Sequence, residues 1–179
     1  MARLILLDRD GVINFDSPDY IKSADEWRPI PGSLEAIATL RSHGAKVAVC
    51  TNQAGIARGR FSSADLAAIH AKLNSALAAL DTRLDALTFC PHHPDDACDC
   101  RKPKPGMLLA MMREFAAEPA QTVFVGDSLR DLQAAHAAGC QAVLVRTGSG
   151  KETEPRARAK GLTFEAFDDL AGWARGVAG

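Results

Sequence analysis

The sequence predicts an α/β protein built on a Rossmann-like doubly wound parallel sheet, because three short apolar runs each end in polar residues and helix-like stretches separate them. The runs are Leu4–Leu7 before Asp8-Arg9-Asp10-Gly11, Val47–Cys50 before Thr51-Asn52-Gln53, and Val123–Val125 before Gly126-Asp127-Ser128. Strands of this kind are covered on both faces and deliver their polar ends to the carboxyl edge of the sheet, where such proteins do chemistry.

The first strand carries the most chemistry. Side chains two apart on a strand leave by the same face, so Asp8 and Asp10 project together where it ends. Two carboxylates so placed can hold a divalent cation, one acting as nucleophile and the other as acid or base, and Gly11 behind them allows a sharp turn. An isolated Asp-x-Asp is more often a strand that ends in solvated acids, but the two later runs reverse that reading. A polar loop from Asn14 to Glu26 follows, then a helix from Gly32 to His43, opened by Pro31 and stopped by Gly44. Ala45 to Cys50 reads as the second strand. At its end, the Thr51 hydroxyl and the Asn52 amide can donate hydrogen bonds to phosphoryl oxygens.

Ser62 or Ser63 caps an Ala- and Leu-rich helix running to about Leu80, with Asp65 in its first turn. Leu84 to Phe89 is a strand entering a cysteine loop. Gly106 to Ala117, Thr122 to Gly126, Leu129 to Ala138 and Ala142 to Arg146 then read as helix, strand, helix and strand, and Phe164 to Ala174 as a closing helix. Asp127 ends a strand, and Asp131 follows one turn into the next helix, so the first can ligate a cation while the second supports it. Four carboxylates converging on one edge repel unless a positive charge sits among them, and all-oxygen ligation suits Mg²⁺. Lys102 and Lys104 precede a helix opened by Pro105 and Gly106, and either can reach a phosphate there.

Composition bounds the rest. A chain of 179 residues with 47% hydrophobic and 24% charged residues fits a single domain over 1–179 that folds without staples. A net charge of −1, with one Tyr and two Trp, argues against a nucleic-acid partner and against a polynucleotide-end phosphatase. Apolar stretches are strand-sized and no basic, apolar leader precedes the first, so the expectation is a cytoplasmic monomer with no membrane segment. Three of the five cysteines fall in Cys90-Pro-His92-His93-Pro-Asp-Asp-Ala-Cys98-Asp-Cys100. Three thiolates and one imidazole make a closed tetrahedral zinc set; the chosen ligands are Cys90, His92, Cys98 and Cys100, with His93 in reserve. A loop this polar cannot fold alone, so zinc would rigidify residues 90–104 and aim Arg101 and Lys102 at the site. Cys50 and Cys140 lie in or beside apolar strands as packing residues.

The order Asp-x-Asp, Thr-Asn, Lys, Gly-Asp-x-x-x-Asp over residues 4–131 resembles the haloacid dehalogenase-like phosphohydrolases. The resemblance implies that Asp8 attacks phosphorus to form an aspartyl-phosphate and that Asp10 protonates the leaving alcohol and later activates water. It also implies Mg²⁺ held by Asp8, Asp127 and the backbone carbonyl of Asp10, phosphoryl oxygens held by Thr51 and Lys102, and an orienting Asp131. Cys-Pro-His, Cys-Asp-Cys-Arg-Lys-Pro, Pro-Gly-Met and Thr51-Asn-Gln-Ala-Gly-Ile-Ala-Arg-Gly59 narrow this to a resemblance to the D-glycero-D-manno-heptose 1,7-bisphosphate 7-phosphatases, covering the chain to about Arg146. Those enzymes serve lipopolysaccharide core or nucleotide-activated heptose synthesis. The histidinol-phosphate phosphatases carry a similar cysteine loop but usually lack Ile-Ala-Arg-Gly. Ser128 stands where some heptose phosphatases carry a substrate-binding lysine.

The intervals between motifs leave no room for a cap domain, so the expected site is open. Substrate contacts then fall to Asp16, Ser17, Pro18, Asp19 and Tyr20, to Asn52, Gln53 and Ala54, and to Arg101 and Ser128. Arg101 is the forked donor best placed for a second phosphate. A zinc-stapled module that binds phosphate without turnover would fit better if Asp8 or Asp10 were missing, and both are present.

Overall fold

The computed structural model describes residues 4–178. Its centre is a six-stranded, wholly parallel sheet of β1 (Leu4–Leu7), β2 (Lys46–Asn52), β3 (Ala86–Cys90), β4 (Thr122–Gly126), β5 (Gln141–Val145) and β6 (Glu165–Phe167). The strand order is β3-β2-β1-β4-β5-β6. The chain winds outward from β1 in both directions, so the order reverses between β1 and β4. Crossovers on the two sides of that point cover opposite faces and leave a crevice at the strands' carboxyl ends.

The helices are α1 (Ser33–Ser42), α2 (Ser63–Ala78), α3 (Gly106–Glu114), α4 (Leu129–Ala138), α5 (Gly150–Ala159) and α6 (Leu170–Ala178). Alternation along the strands splits the core in two. Ile5, Leu7, Val47 and Val49 face α1, α2 and α6, while Leu4, Leu6, Ala48 and Cys50 face α3, α4 and α5. All four residues of β1 are buried, as a strand covered on both sides requires. Cys50 and Cys140 are buried packing residues in the second cluster.

Three expectations need correction. First, β2 runs on through Asn52, two residues beyond the expected end at Cys50, so Thr51 and Asn52 are its last residues. Second, the expected closing helix begins too early: residues 165–167 are the edge strand β6, and α6 starts at Leu170. Between β5 and β6 lies an unforeseen helix, α5, whose sequence Gly-Lys-Glu-Thr-Glu-Pro-Arg-Ala-Arg-Ala buries only Gly150, Thr153 and Ala157 and so carries almost no apolar period. Third, α3 stops at Glu114, because Ala116 takes a left-handed conformation (φ 47°) that ends the helix before Ala117. Between Gly11 and Gly32 the described chain forms turns and isolated bridges, and between Gln53 and Ser62 it forms turns, so neither interval holds a cap. No helix among the described residues is long and apolar enough to cross a membrane.

Candidate active site

Asp8 and Asp10 leave the end of β1, Thr51 the end of β2 and Asp127 the end of β4, and these meet at the reversal point. They line a cleft of about 310 Å³ together with Lys102, Arg101 and the loop around Tyr20. Asp8, Asp127 and Asp131 bring carboxylate oxygens within 4.8 Å of one another. Burial, then the charge of Asp131, raises the Asp8 carboxyl to about 7. Burial and the charges of Asp131 and Asp8 raise Asp127 to about 8. A cluster this short of positive charge suits a hard divalent cation.

The backbone comes unusually close to Asp127. A Cβ on Gly11 (φ 82°) or on Gly148 (φ 54°) would strike its carboxylate, so both positions admit only glycine without displacement. Asp127 Oδ2 also accepts a hydrogen bond from Ser149 N at 2.8 Å, and Thr147 Oγ1 donates to Gly11 O at 2.6 Å. The β5–α5 turn is thus part of the site, which sequence reasoning missed. The signal was Thr-Gly-Ser-Gly directly after an apolar strand.

Lys102 is almost fully buried, with Nζ 2.9 Å from Asp8 Oδ1 and 2.7 Å from Asp131 Oδ1. Burying an ammonium costs several kcal/mol unless partners repay it, and here two carboxylates do. Burial works against the charged amine, yet those carboxylates outweigh it and raise its pKa. The structure separates the two lysines: Lys104 points outward and donates to Cys98 O at 2.7 Å. Asp131 also accepts from Ser128 Oγ at 2.7 Å and from the backbone N–H groups of Ser128 and Asp127, at 3.0 and 3.2 Å. Burial raises its pKa, but Lys102 and these donors together hold it low.

Asp10 is turned away from that cluster. Its Oδ1 accepts from Arg9 Nε and Nη2 at 3.0 and 2.7 Å and from Asn14 Nδ2 at 2.9 Å, and its Oδ2 accepts from Gln53 Nε2 at 2.9 Å. Burial opposes ionisation, but Arg9 and the hydrogen bonds outweigh it and keep this carboxyl below its usual range. Gln53 Nε2 also donates to Thr51 Oγ1 at 3.0 Å, which leaves the Thr51 hydroxyl proton free for another acceptor.

Several expected substrate contacts have other occupations. Asn52 Nδ2 donates to Lys102 O while Lys102 N donates to Asn52 Oδ1, each at 3.1 Å, so this amide positions the lysine. Gln53 is tied to Asp10, and Ser128 caps α4 with Asp131. Asp19 is 65% exposed, pairs with Lys22 at 3.0 Å and lies outside the cleft, because the turn at Ser17–Tyr20 points it to solvent. Asp16, Ser17, Pro18, Tyr20 and Ala54 line the cleft as expected. The cleft also contains Arg58 and Arg130, which the sequence reading did not single out. Burial, then the charges of Arg130 and, more weakly, Arg58 lower the Arg101 pKa. Among the described residues none of these three arginines forms an ion pair, and the buried Arg101 Nη1 has no hydrogen-bond partner. Three guanidinium groups without an ion-pair partner among the described residues line this cleft and can receive an anion.

The cysteine loop places the four expected ligands together. Cys90 Sγ lies 3.4 Å from His92 Nδ1 and 3.7 Å from Cys98 Sγ, and His92 Nδ1 lies 3.2 Å from Cys100 Sγ. The edges of a zinc tetrahedron are about 3.8 Å between sulfurs and about 3.5 Å between sulfur and nitrogen, so the donors fit that ion. His93 stays outside, paired with Asp95.

A family model described as Hydrolase_like, HAD-hydrolase-like, matches residues 99–172. The D-glycero-beta-D-manno-heptose-1,7-bisphosphate 7-phosphatase of Pseudomonas aeruginosa is 52% identical over 168 residues, 94% of this chain and 93% of the relative. Its Bordetella bronchiseptica counterpart is 53% identical over 151 residues, 84% of each. A crystal structure of the D,D-heptose 1,7-bisphosphate phosphatase from B. bronchiseptica, complexed with magnesium and phosphate, superposes with a TM-score of 0.93 at 48% identity, covering 98% of this chain and 97% of that one. With the strand-end carboxylates, the buried lysine and the cysteine loop in place, the chain belongs to the haloacid dehalogenase-like hydrolases and, within them, to the D-glycero-beta-D-manno-heptose-1,7-bisphosphate 7-phosphatase family.

Proposed function

We propose that this chain removes the C7 phosphate of D-glycero-beta-D-manno-heptose 1,7-bisphosphate through an aspartyl-phosphate intermediate. The observation that carries the reading is one cleft that holds both a phosphoryl-transfer cluster and three unpaired arginines, as a substrate with two phosphates requires. Relatives half-identical over most of the chain bear that activity in name, with the β anomer specified.

Asp8 attacks phosphorus in line. Asp10, ionised in the free cleft, takes a proton from the arriving phosphate monoester; as the bond from phosphorus to the C7 oxygen breaks, its electron pair goes to that oxygen, which receives this proton from Asp10. Asp10 Oδ2 receives one hydrogen bond where Oδ1 receives three, so Oδ2 is the oxygen with room for that proton. Water then attacks phosphorus and gives its proton to Asp10, and the bond from phosphorus to Asp8 breaks to yield phosphate and the free carboxylate. The Thr51 hydroxyl and Lys102 hold phosphoryl oxygens, while Asp131 and Asn52 fix Lys102 from the side chain and the backbone. Mg²⁺ fits the Asp8 and Asp127 carboxylates with the backbone carbonyl of Asp10, and when bound it neutralises charge on the transferring group. Arg101, flanked by Arg58 and Arg130, holds the phosphate that does not react. Cys90, His92, Cys98 and Cys100 would hold zinc, which would stiffen the loop that carries Arg101 and Lys102. The substrate is a small phosphorylated sugar, and thiols gathered as metal ligands suit a reducing compartment such as the cytoplasm.

Phosphate release from each anomer of the bisphosphate, compared with histidinol phosphate in Mg²⁺, tests the assignment. Preference for the β-bisphosphate by at least about tenfold in kcat/KM supports it, since a charge-assisted contact to the second phosphate is worth about that much or more. Equal turnover of histidinol phosphate overturns it.

A further inference from the structure

Arg9 separates the two motif aspartates in sequence and is fully buried, a placement an arginine tolerates only when its donors are met. One edge of its guanidinium, Nε and Nη2, donates to Asp10 Oδ1 at 3.0 and 2.7 Å. Its remaining nitrogen, Nη1, lies 3.2 Å from Nε2 of His70, in the second turn of α2 and not itself among the residues lining the cleft. Arginine is a donor only, so His70 Nε2 is the acceptor and the ring carries its proton on Nδ1. Burial, then the charge of Arg9, lowers the His70 pKa to about 4, which keeps that lone pair available. The ring itself is held against Phe89 of β3, with centroids 6.0 Å apart.

We propose that His70 is a positioning residue for the proton-transfer group: by accepting from Arg9 Nη1 it locks the guanidinium so that its opposite edge clamps Asp10 Oδ1 and leaves Oδ2 to exchange the proton. The inference rests on the reading of Asp10 as acid and base given above. Without an acceptor on α2, the buried Nη1 finds no partner, Arg9 shifts, and Asp10 loses two of its four hydrogen bonds. The energetics of phosphate capture, which lies with Lys102, Thr51 and the arginines, stay as they were.

The test uses the whole chain in Mg²⁺, with His70→Ala, His70→Phe and His70→Gln assayed on the heptose bisphosphate, on a simple alkyl phosphate and on p-nitrophenyl phosphate. Alkyl leaving groups need a proton as they depart and nitrophenolate does not, and kcat/KM reports only the steps up to formation of the phosphoenzyme. A positioned general acid contributes about 10²–10⁴-fold, so its loosening should lower kcat/KM for the alkyl substrates by roughly 10- to 50-fold in His70→Ala, with KM within about twofold. For p-nitrophenyl phosphate the loss should stay within about threefold, since no leaving-group proton is required. His70→Phe keeps the ring against Phe89 but cannot accept, so it should fall with His70→Ala. His70→Gln offers an amide oxygen to Nη1 and should recover most of the alkyl activity. Equal losses on alkyl and nitrophenyl substrates, or a fully active His70→Phe, overturn the proposal. If His70→Ala does not fold, the contrast between Phe and Gln decides alone. A wild-type enzyme inactive on heptose bisphosphate but active on the alkyl phosphate counts against the substrate assignment and leaves this comparison intact.

Discussion

The two candidate metal centres are built on opposite plans. The carboxylate cluster stands on the ends of β1 and β4 at the middle of the sheet, where Asp127 and Asp131 are buried and the surrounding core is complete without any ion. The cysteine cluster stands on a loop leaving the edge strand β3, where His92 and Cys100 are partly or well exposed and the sequence offers no core of its own. In the first, the fold supplies rigidity and the ion supplies charge. In the second, a bound ion would supply the rigidity. Removing one metal should therefore affect chemistry, and removing the other should affect structure.

The largest effect falls on the first centre. Asp8→Asn should reduce kcat by more than about 10³-fold without lowering the melting temperature, because an amide cannot attack phosphorus while a shared site loses one repelling charge. Phosphate release and thermal unfolding on the same sample check this. Residual activity above about a hundredth of wild type would remove Asp8 as nucleophile.

Next in size is the second centre. Cys98→Ser should lose close to one equivalent of zinc, measured by elemental analysis, and lower Tm by roughly 5–15 °C together with a tenfold or greater fall in activity. EDTA sufficient to strip Mg²⁺ should stop turnover reversibly yet leave the zinc in place and Tm changed by only a few degrees. A fully active protein free of zinc would erase the contrast.

The wall of arginines gives a smaller, substrate-dependent effect. Losing a charge-assisted contact costs about 1.5–3 kcal/mol, so Arg101→Ala should lower kcat/KM for the bisphosphate roughly 10- to 100-fold, mostly through KM, and scarcely touch a monophosphate. Arg58→Ala and Arg130→Ala should each cost about three- to tenfold in the same direction, since both are exposed whereas Arg101 is half-buried. Equal losses on both substrates would assign Arg101 to the reacting phosphate.

The gentlest probe is pH. Asp8 and Asp127 are raised to about 7 and 8 without a cation, so protons compete for the same oxygens. The apparent Mg²⁺ affinity should weaken by at least about tenfold from pH 8 to pH 6, read from the Mg²⁺ dependence of activity. The sign for stability is opposite. Both groups bind protons more tightly folded than unfolded, so the metal-free protein loses stability as pH rises from about 4 through 8, and Mg²⁺ should stabilise it more at pH 8 than at pH 6. Zinc content should not move over that range.

What was legible in the sequence follows the same division. That Asp8 and Asp127 would meet, and that Cys90, His92, Cys98 and Cys100 would cluster, was readable because each group is a specific chemistry placed at a strand end or at a short local spacing. β1 to β5 and their helices were readable because apolar runs of strand length were punctuated by caps such as Ser62 and Ser128, each closing a box with the aspartate three residues on. α5 was not, since a helix that buries three small residues leaves no apolar signature. Asn52 and Gln53 line the cleft as residues expected at the substrate, but that they also hold Lys102 and Asp10 was not readable, because an amide at a strand end can serve either a ligand or a neighbouring catalytic group. Arg58, Arg130 and His70 were invisible for a similar reason: their meaning lies in which distant residues they meet.

Asp131 caps α4, pairs with Lys102 and receives the N–H of Asp127, all through one carboxylate. Helix initiation and site assembly therefore share a single event. Fraying of the first turn of α4, ordinarily a harmless local fluctuation, would release Lys102 and Asp127 together, so the site cannot persist in a partly opened molecule. The amides of Asp127, Ser128 and Asp131 should accordingly exchange with solvent as slowly as those of the central strands, unlike the first-turn amides of α2, whose equivalent box at Ser62 and Asp65 touches nothing catalytic. The integrity of the site is therefore tied to the stability of the whole domain rather than to a local equilibrium at one helix end.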